Sequence, residues 1–351
     1  MKRSRNGHVG CPALLTIAMI ATWCAFASAQ PTAPESTAVD FMTPETHEAI
    51  RSGLKFLAAR QDDDGSFGTS GYSRNVAVCA LSGMAFMSSG STPSRGPFGR
   101  NVEQCVSFIL DNVQQESGFI AAPDTSSHGP MYGHGFATLF LAEAYGMSMR
   151  ADLREKLSAA TNLIVKTQNR AGGWRYQPQP RDADISVTIC QIMALRAARN
   201  AGIRVPHDTI DHCIDYVKRS QNPDGGFMYM IQGGQSAFPR SAAGVVALYS
   251  AGIYEGEEIE HGLDYLMGHV PRGGSFHRES HYFYGHYYAV QAMWHAGGDH
   301  WSNWYPAIRD ELLAMQRPDG SWIDSICQEY GTAMACLVLQ MPNNYLPIFQ
   351  R

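Results

Sequence analysis

An amphipathic helical stretch, a turn rich in glycine and aromatic residues, and a second, more apolar helical stretch recur six times along this chain. That recurrence constrains the fold more than any other feature. The turns read Gln61-Asp-Asp-Asp-Gly-Ser-Phe67, Gln115-Glu-Ser-Gly-Phe119, Gln168-Asn-Arg-Ala-Gly-Gly-Trp174, Gln221-Asn-Pro-Asp-Gly-Gly-Phe227, Val270-Pro-Arg-Gly-Gly-Ser-Phe276 and Gln316-Arg-Pro-Asp-Gly-Ser-Trp322. The first four glutamines stand 54, 53 and 53 residues apart. A period of about 50 residues with two helices per unit predicts stacked helical hairpins. Glycine supplies the positive φ needed just past a helix end, and Pro223 and Pro318 stand where the helix cannot continue. The turn aromatics, Phe67, Phe119, Trp174, Phe227, Phe276 and Trp322, are expected to fold against the neighbouring hairpin, each ring contributing about 1.5–3 kcal/mol when buried.

The first 29 residues read as a leader rather than as part of the fold. Lys2, Arg3 and Arg5 form a basic start, Pro12 to Phe26 is apolar, and Ala27-Ser28-Ala29 offers a small-residue cleavage site, the pattern of a secretory signal peptide. The expected fate is export, to a periplasm or outside the cell. The apolar run is shorter than the ~20 residues a spanning helix needs, so membrane attachment would arise only through an uncleaved leader. Residues 30–44, rich in Pro, Thr, Ser and Ala, read as a tether, and 45–345 as one large domain. A formal charge of −5 without a Lys/Arg cluster argues against nucleic acid as a partner. Six cysteines follow the leader (Cys79, Cys105, Cys190, Cys213, Cys327, Cys336), none in a Cys-x-x-Cys arrangement. Oxidised pairs and buried single thiols are both compatible with that pattern.

The first helix of each unit, as in Thr46–Arg60, Asp152–Thr167 and His207–Ser220, is charged on one face, whereas the second, as in Val76–Met87, Gly135–Met147, Ile185–Ala198 and Ser241–Ala251, is nearly devoid of charge. A helix apolar all round is buried on all sides. The second helices therefore form an inner ring, and six hairpins close most simply into an all-α, α/α toroid whose loops at one end open onto a central cavity. Aligning the inner helices on their small residues gives a polar column three positions earlier: Asn75, His134, Asp184, Arg240, His286 and Thr332. Two positions before that comes a mostly aromatic column: Ser73, Tyr132, Asp182, Phe238, Tyr284 and Tyr330. These two columns are the predicted lining of the cavity mouth. Asn75, Asp184 and Thr332 are also residue types that cap helix N-termini; His134, Arg240 and His286 are not.

The registered Gln-to-aromatic turns resemble the repeats of squalene and terpene cyclases and of protein prenyltransferase β-subunits, from about residue 45 to 340. In the third repeat, Gly172 to Thr188 resembles the class II terpene cyclase segment that holds an Asp-x-Asp-Asp acid motif. There, the resemblance implies, the middle Asp protonates an alkene or epoxide and starts cyclisation. Asp182 and Asp184 match the first and middle positions, and Ile185 stands where the third Asp would be. Alkene protonation needs a carboxylic acid kept neutral at working pH. Two carboxylates ~4 Å apart at an effective dielectric of ~20 repel by about 4 kcal/mol, which favours keeping one protonated. A helix N-terminus acts the other way, favouring the anion. A single barrel also shields a carbocation from water less well than the two-barrel squalene cyclases do, so a smaller terpene or a capping partner protein is expected to compensate.

The functional expectation is thus an acid-initiated isoprenoid cyclase or isomerase. Asp184 is the proton donor, Asp182 raises its pKa, His286 is a further catalytic candidate, and Tyr132, Phe238, Tyr284 and Tyr330 form a carbocation-stabilising wall. The competing expectation is a cavity for a saccharide or anion, held by Arg240, His134, His286 and Asn75 with Asp184 ionised, or a non-catalytic binding scaffold. A prenyltransferase-like reading finds no recognisable zinc site. The resemblance implies an Asp-x-Cys at an inner-helix start, and the match here, Asp211-His-Cys213, falls on an outer helix. No metal and no cofactor is expected, and the partner is a small molecule in the central cavity.

Overall fold

The computed structural model describes residues 41–123, 129–274 and 279–350. The proposed leader, most of the tether and Phe276 lie outside them. Twelve α-helices occur among the described residues: α1 (Pro44–Arg60), α2 (Val76–Met87), α3 (Gly99–Asp111), α4 (Pro130–Tyr145), α5 (Leu153–Thr167), α6 (Ile185–Asn200), α7 (His207–Arg219), α8 (Phe238–Ala251), α9 (Glu257–Met267), α10 (Tyr282–Ala296), α11 (Gly298–Met315) and α12 (Gln328–Leu339). Two inner helices begin earlier than the apolar pattern suggests. Both α4 and α8 carry a proline in the first turn, where its missing N–H costs nothing.

The even-numbered helices are buried nearly all round, and each packs on the next, with α12 returning to α2. The odd-numbered helices lie outside them, each wedged against inner neighbours. This is the α/α toroid expected from the repeat. No helix among the described residues is long and apolar enough to cross a membrane.

The glutamines at the outer-helix ends stitch the repeats together. Gln168 Nε2 donates to Gly172 O in its own turn and to Thr209 O on the next outer helix, both at 2.9 Å. Gln61 does the same with Gly65 O and Asn101 O, and Gln221 with Gly225 O and Glu258 O. Gln316 reaches across the seam to Ala49 O of α1, at 2.9 Å, while holding Gly320 O. Arg60 Nε also pairs across the seam with buried Glu329, 3.0 Å away. The turn glycines are needed for the same approach. Gly172 has φ +101°, and a Cβ there would lie 1.9 Å from His212 O of α7. The aromatics seat the turn from within: Trp322 Nε1 donates to Leu312 O of its own outer helix, and its ring meets Gly53 of the next.

The second repeat departs from the pattern Gln115…Phe119. Gly118 N donates to Gln114 O and Gln114 N to Phe119 O, the bonds that Asn169 makes in the third repeat, and Val113 bridges Ile120 as Gln221 bridges Phe227, so Val113 stands where the other repeats place their glutamine. Ile120 is the fully buried wedge and Phe119 is only half-buried. Gln114 bonds Ser117 instead of a neighbouring helix, and Lys156 of α5 takes over the link by donating to Leu110 O.

The packed unit runs past residue 345. Leu346, Ile348 and Phe349 are buried; Ile348 N donates to Glu143 Oε2 of α4, and Phe349 meets Tyr287. This strap packs against the inner helices and, through Gln350 O, accepts from Arg196 near the C-terminal end of α6.

Two substitutions test the stitching. Gln168→Ala leaves two carbonyls without their amide donor and is expected to cost about 1–3 kcal/mol in urea denaturation. Gly172→Ala should destabilise far more than Gly233→Ala: both have positive φ, but no atom lies within 4 Å of a Cβ at Gly233. Equal losses would show that the close approach to α7 contributes nothing.

Candidate functional site

Asp184 is the N-cap of α6. Its Oδ1 accepts from Val187 N at 2.9 Å, the ordinary capping bond, and its side chain is fully buried. The other oxygen, Oδ2, faces Tyr229 OH at 3.4 Å and Arg175 Nε at 3.8 Å. Tyr229 OH in turn makes a short hydrogen bond with Tyr176 OH, and the Arg175 guanidinium lies over both tyrosine rings. Burial pushes the Asp184 carboxyl up to about 6, against the lowering pull of the Val187 N–H, Arg175 and Tyr229. The carboxyl is therefore partly protonated near neutral pH.

Asp182 does not raise that pKa. It is half exposed and spent on Arg175, whose Nη1 lies 2.6 Å from Asp182 Oδ2. Desolvation does the work expected of a second carboxylate.

Beyond Asp184 the axis of the barrel is tyrosine-lined. Tyr132 and Tyr284 are half-buried and meet edge to face, with centroids 6.5 Å apart. Tyr284 OH donates to Ser186 O, in the first turn of α6, at 2.8 Å. Below them Tyr287, Tyr288 and Tyr330 are buried, with Cys190 Sγ 3.3 Å from Tyr288 OH. These side chains fill the deeper part of the axis, and four half-buried tyrosines, Tyr132, Tyr176, Tyr229 and Tyr284, lie between solvent and the fully buried Asp184 carboxyl.

The remaining predicted lining residues go elsewhere. His134 accepts from Ile120 N at Nδ1, which leaves Nε2 to donate to Ala160 O of α5; burial lowers its pKa to about 4, so it stays neutral. His286 packs outward among Phe238, Tyr282 and Trp304, its Nε2 3.2 Å from Glu279 Oε2 but off the line of a hydrogen bond. Phe238 stacks on His269 and Trp304, in the layer between inner and outer helices. Arg240 donates to Phe227 O and Gln235 O. Asn75 caps α2, and Thr332 accepts from Trp322 N.

The polar column thus mixes two levels of the barrel. His134, His286 and Thr332 sit in the second turn of their helices, beside Thr188 and Ser241, which likewise accept from a turn N–H. Asn75 and Asp184 are one turn earlier, because small residues recur every three or four positions and allow an alignment to slip by a turn.

Arg175, Tyr176 and Tyr229 are the site residues that the columns miss. A signal for two of them was present: Tyr176 and Tyr229 each stand two residues past a turn aromatic, Trp174 and Phe227. The Asp211-His-Cys213 stretch lies on outer α7, with Cys213 buried and Asp211 exposed. A separate cleft of about 500 Å³ lies at the other end of α6, lined by Arg196, Arg199, Tyr249 and Tyr254. It contains no carboxylate and is ~18 Å of helix away from Asp184, so it does not serve the acid.

The folds and sequences that resemble this one converge on the same architecture. A type II terpene cyclase from Scytonema superposes with a TM-score of 0.61 at 14% identity, covering 86% of this chain and 98% of that one, so one barrel of this size accounts for nearly all of that cyclase. An α-mannanase from Bacteroides thetaiotaomicron superposes about as well, with a TM-score of 0.60 at 10% identity over 88% of this chain and 98% of that one; at such identities the likeness is one of fold. In sequence, drimenyl diphosphate synthase of Streptomyces showdoensis is 25% identical over 187 residues, 52% of this chain but only 33% of that enzyme. The sequence model of the prenyltransferase alpha-alpha toroid domain matches residues 42–158 and 147–267, more than half of the chain. The chain belongs to the prenyltransferase alpha-alpha toroid domain family.

Proposed function

We propose that the protein is an exported, acid-initiated isoprenoid cyclase or isomerase in which Asp184 is the proton donor. The observation that carries this reading is a buried carboxyl, raised to about 6 by desolvation, beside a cluster of half-buried tyrosine rings. The partial likeness to drimenyl diphosphate synthase supports it. Oδ1 of Asp184 is committed to Val187 N, so the transferable proton is the one carried on Oδ2. Its delivery to an alkene carbon leaves a cation at the neighbouring carbon, and the ring faces of Tyr132 and Tyr284 suit such a charge. Loss of a proton from the product cation completes an isomerisation that consumes no second reactant. Arg175 limits how far the pKa rises, because its positive charge favours the anion.

The saccharide or anion reading depends on Arg240, His134 and His286 facing a ligand, and each of these is engaged with the scaffold. It therefore has less support than the acid reading.

In the assay for this reading, the mature protein is incubated with acyclic isoprenoids, squalene and prenyl diphosphates among them, beside Asp184→Asn. Cyclic or isomerised products are expected from the wild type alone, at a rate that falls about tenfold per pH unit above ~6 as Asp184 ionises. Products that persist in Asp184→Asn would remove Asp184 as the acid.

Stability gives an independent reading of the same carboxyl. A folded pKa raised above the unfolded value of about 4 stabilises the fold at low pH, and this contribution is lost as pH rises through about 6. Asp184→Asn keeps a capping oxygen and removes the ionisation. It should be more stable than wild type by roughly 3 kcal/mol at pH 8 and near parity at pH 4, as read by urea denaturation. Destabilisation at pH 8 would mean that the anion is favoured in the fold.

A further inference from the structure

Cys79 and Cys105 occupy a position unlike that of the other cysteines. Cys79 lies in the second half of the first turn of inner α2 and Cys105 midway along outer α3, both with no exposed surface. Cys105 is near enough to Cys79 to add to the rise in its thiol pKa. Each is also tied to the first turn: Cys79 Sγ donates to Gly65 O at 3.4 Å, and Gln61 Nε2, which holds the same carbonyl, lies 3.4 Å from Cys105 Sγ. The turn and both helices thus converge on one pair of sulfur atoms. Elsewhere, Cys190 bonds Tyr288, Cys213 is on α7, and Cys327 and Cys336 are nine residues apart along α12, ~13 Å of helix.

We propose that Cys79 and Cys105 are the site of a disulfide that joins α2 to α3 when the protein folds under oxidising conditions. Both sulfurs meet the same bonded pair, Gly65 O and Gln61 Nε2, so side-chain rotation can bring them to the S–S bond length of about 2 Å. The hydrogen bonds given up are weak ones to sulfur. The oxidant is a small-molecule disulfide such as oxidised glutathione. One thiolate attacks it and releases one glutathione thiol. The second thiolate then attacks the mixed disulfide, forms the Cys79–Cys105 bond and releases the second glutathione; two electrons pass to glutathione along with the two thiol protons. Burial raises the Cys79 thiol well above its usual range, so the finished fold reacts slowly and the bond forms while α2 and α3 are still docking. The expected N-terminal leader would send the chain to a compartment where such bonds persist.

The test refolds the reduced, mature chain in a glutathione redox buffer, blocks free thiols in denaturant, and maps tryptic peptides by mass spectrometry. Asn75–Arg95 contains Cys79 as its one cysteine, and Asn101–Arg150 contains Cys105 as its one. The expected result is these two peptides linked, with Cys190, Cys213, Cys327 and Cys336 alkylated. The link should survive Cys190→Ala and vanish in Cys105→Ala, and the oxidised protein should melt a few degrees higher until a thiol reductant is added. All six thiols alkylated, or links chiefly among other cysteines, would overturn the proposal; the wild-type map decides the matter even if Cys105→Ala fails to fold.

Discussion

A glutamine side-chain amide has two N–H donors, and in this protein the amides at the ends of α1, α5, α7 and α11 each reach two backbone carbonyls, one in their own turn and one on the next outer helix. The rest of the architecture depends on that double contact. It draws the turn against the following hairpin so closely that only glycine fits where His212 O approaches Gly172, and it fixes the rotation between successive units. Made at four joints, the same contact brings Gln316 to Ala49 at the seam, where Arg60 also meets Glu329. The seam between first and last hairpin is built from the same bond as the interior joints, with one added ion pair.

The site exists where this scaffold sets two local preferences against each other. A helix N-terminus favours an anion at the cap, and Asp184 makes the usual capping bond. Burial under Trp174, Tyr229 and the neighbouring inner helices favours the neutral acid, and burial is the larger effect. Asn75 occupies the corresponding place on α2 with the same capping geometry and no charge. The comparison separates what the cap requires, an oxygen acceptor, from what the third repeat adds, an ionisable group. Arg175 then divides its guanidinium between Asp182 and the tyrosine pair, so Asp184 feels only part of its charge.

Much of this was legible in the residues themselves. The alternation of one-sided and wholly apolar helices gave the inner and outer rings, and the turn glycines and aromatics marked the joints. The glutamines also recurred, but their role as stitches did not follow from spacing, because a side-chain amide shows its partners only when the next hairpin is in place. The second repeat misled: its glutamines, Gln114 and Gln115, both lie past the stitching position, which the backbone bonds and the bridge to Ile120 assign to Val113. Among candidate site residues, Asp184, Tyr132 and Tyr284 lie in one cluster, whereas His134, His286 and Phe238 turn into the wall between the rings and Arg240 is spent on loop carbonyls. Helical periodicity tells which residues share a face but leaves open a slip of one turn, and one turn separates the Asp184 cluster from the wall.

The sequence by itself determined the all-α class, the count of hairpins and which helix of each pair is enclosed, because these follow from local propensity and the distribution of charge along each helix. Tertiary structure alone decided which polar groups are spent on the scaffold and which remain free for chemistry. Asp184, Arg175, Tyr176 and Tyr229 come from two consecutive repeats and meet only after the hairpins stack. The pKa of Asp184 is set by how much water that stacking removes, a property of the assembled ring that no single segment carries.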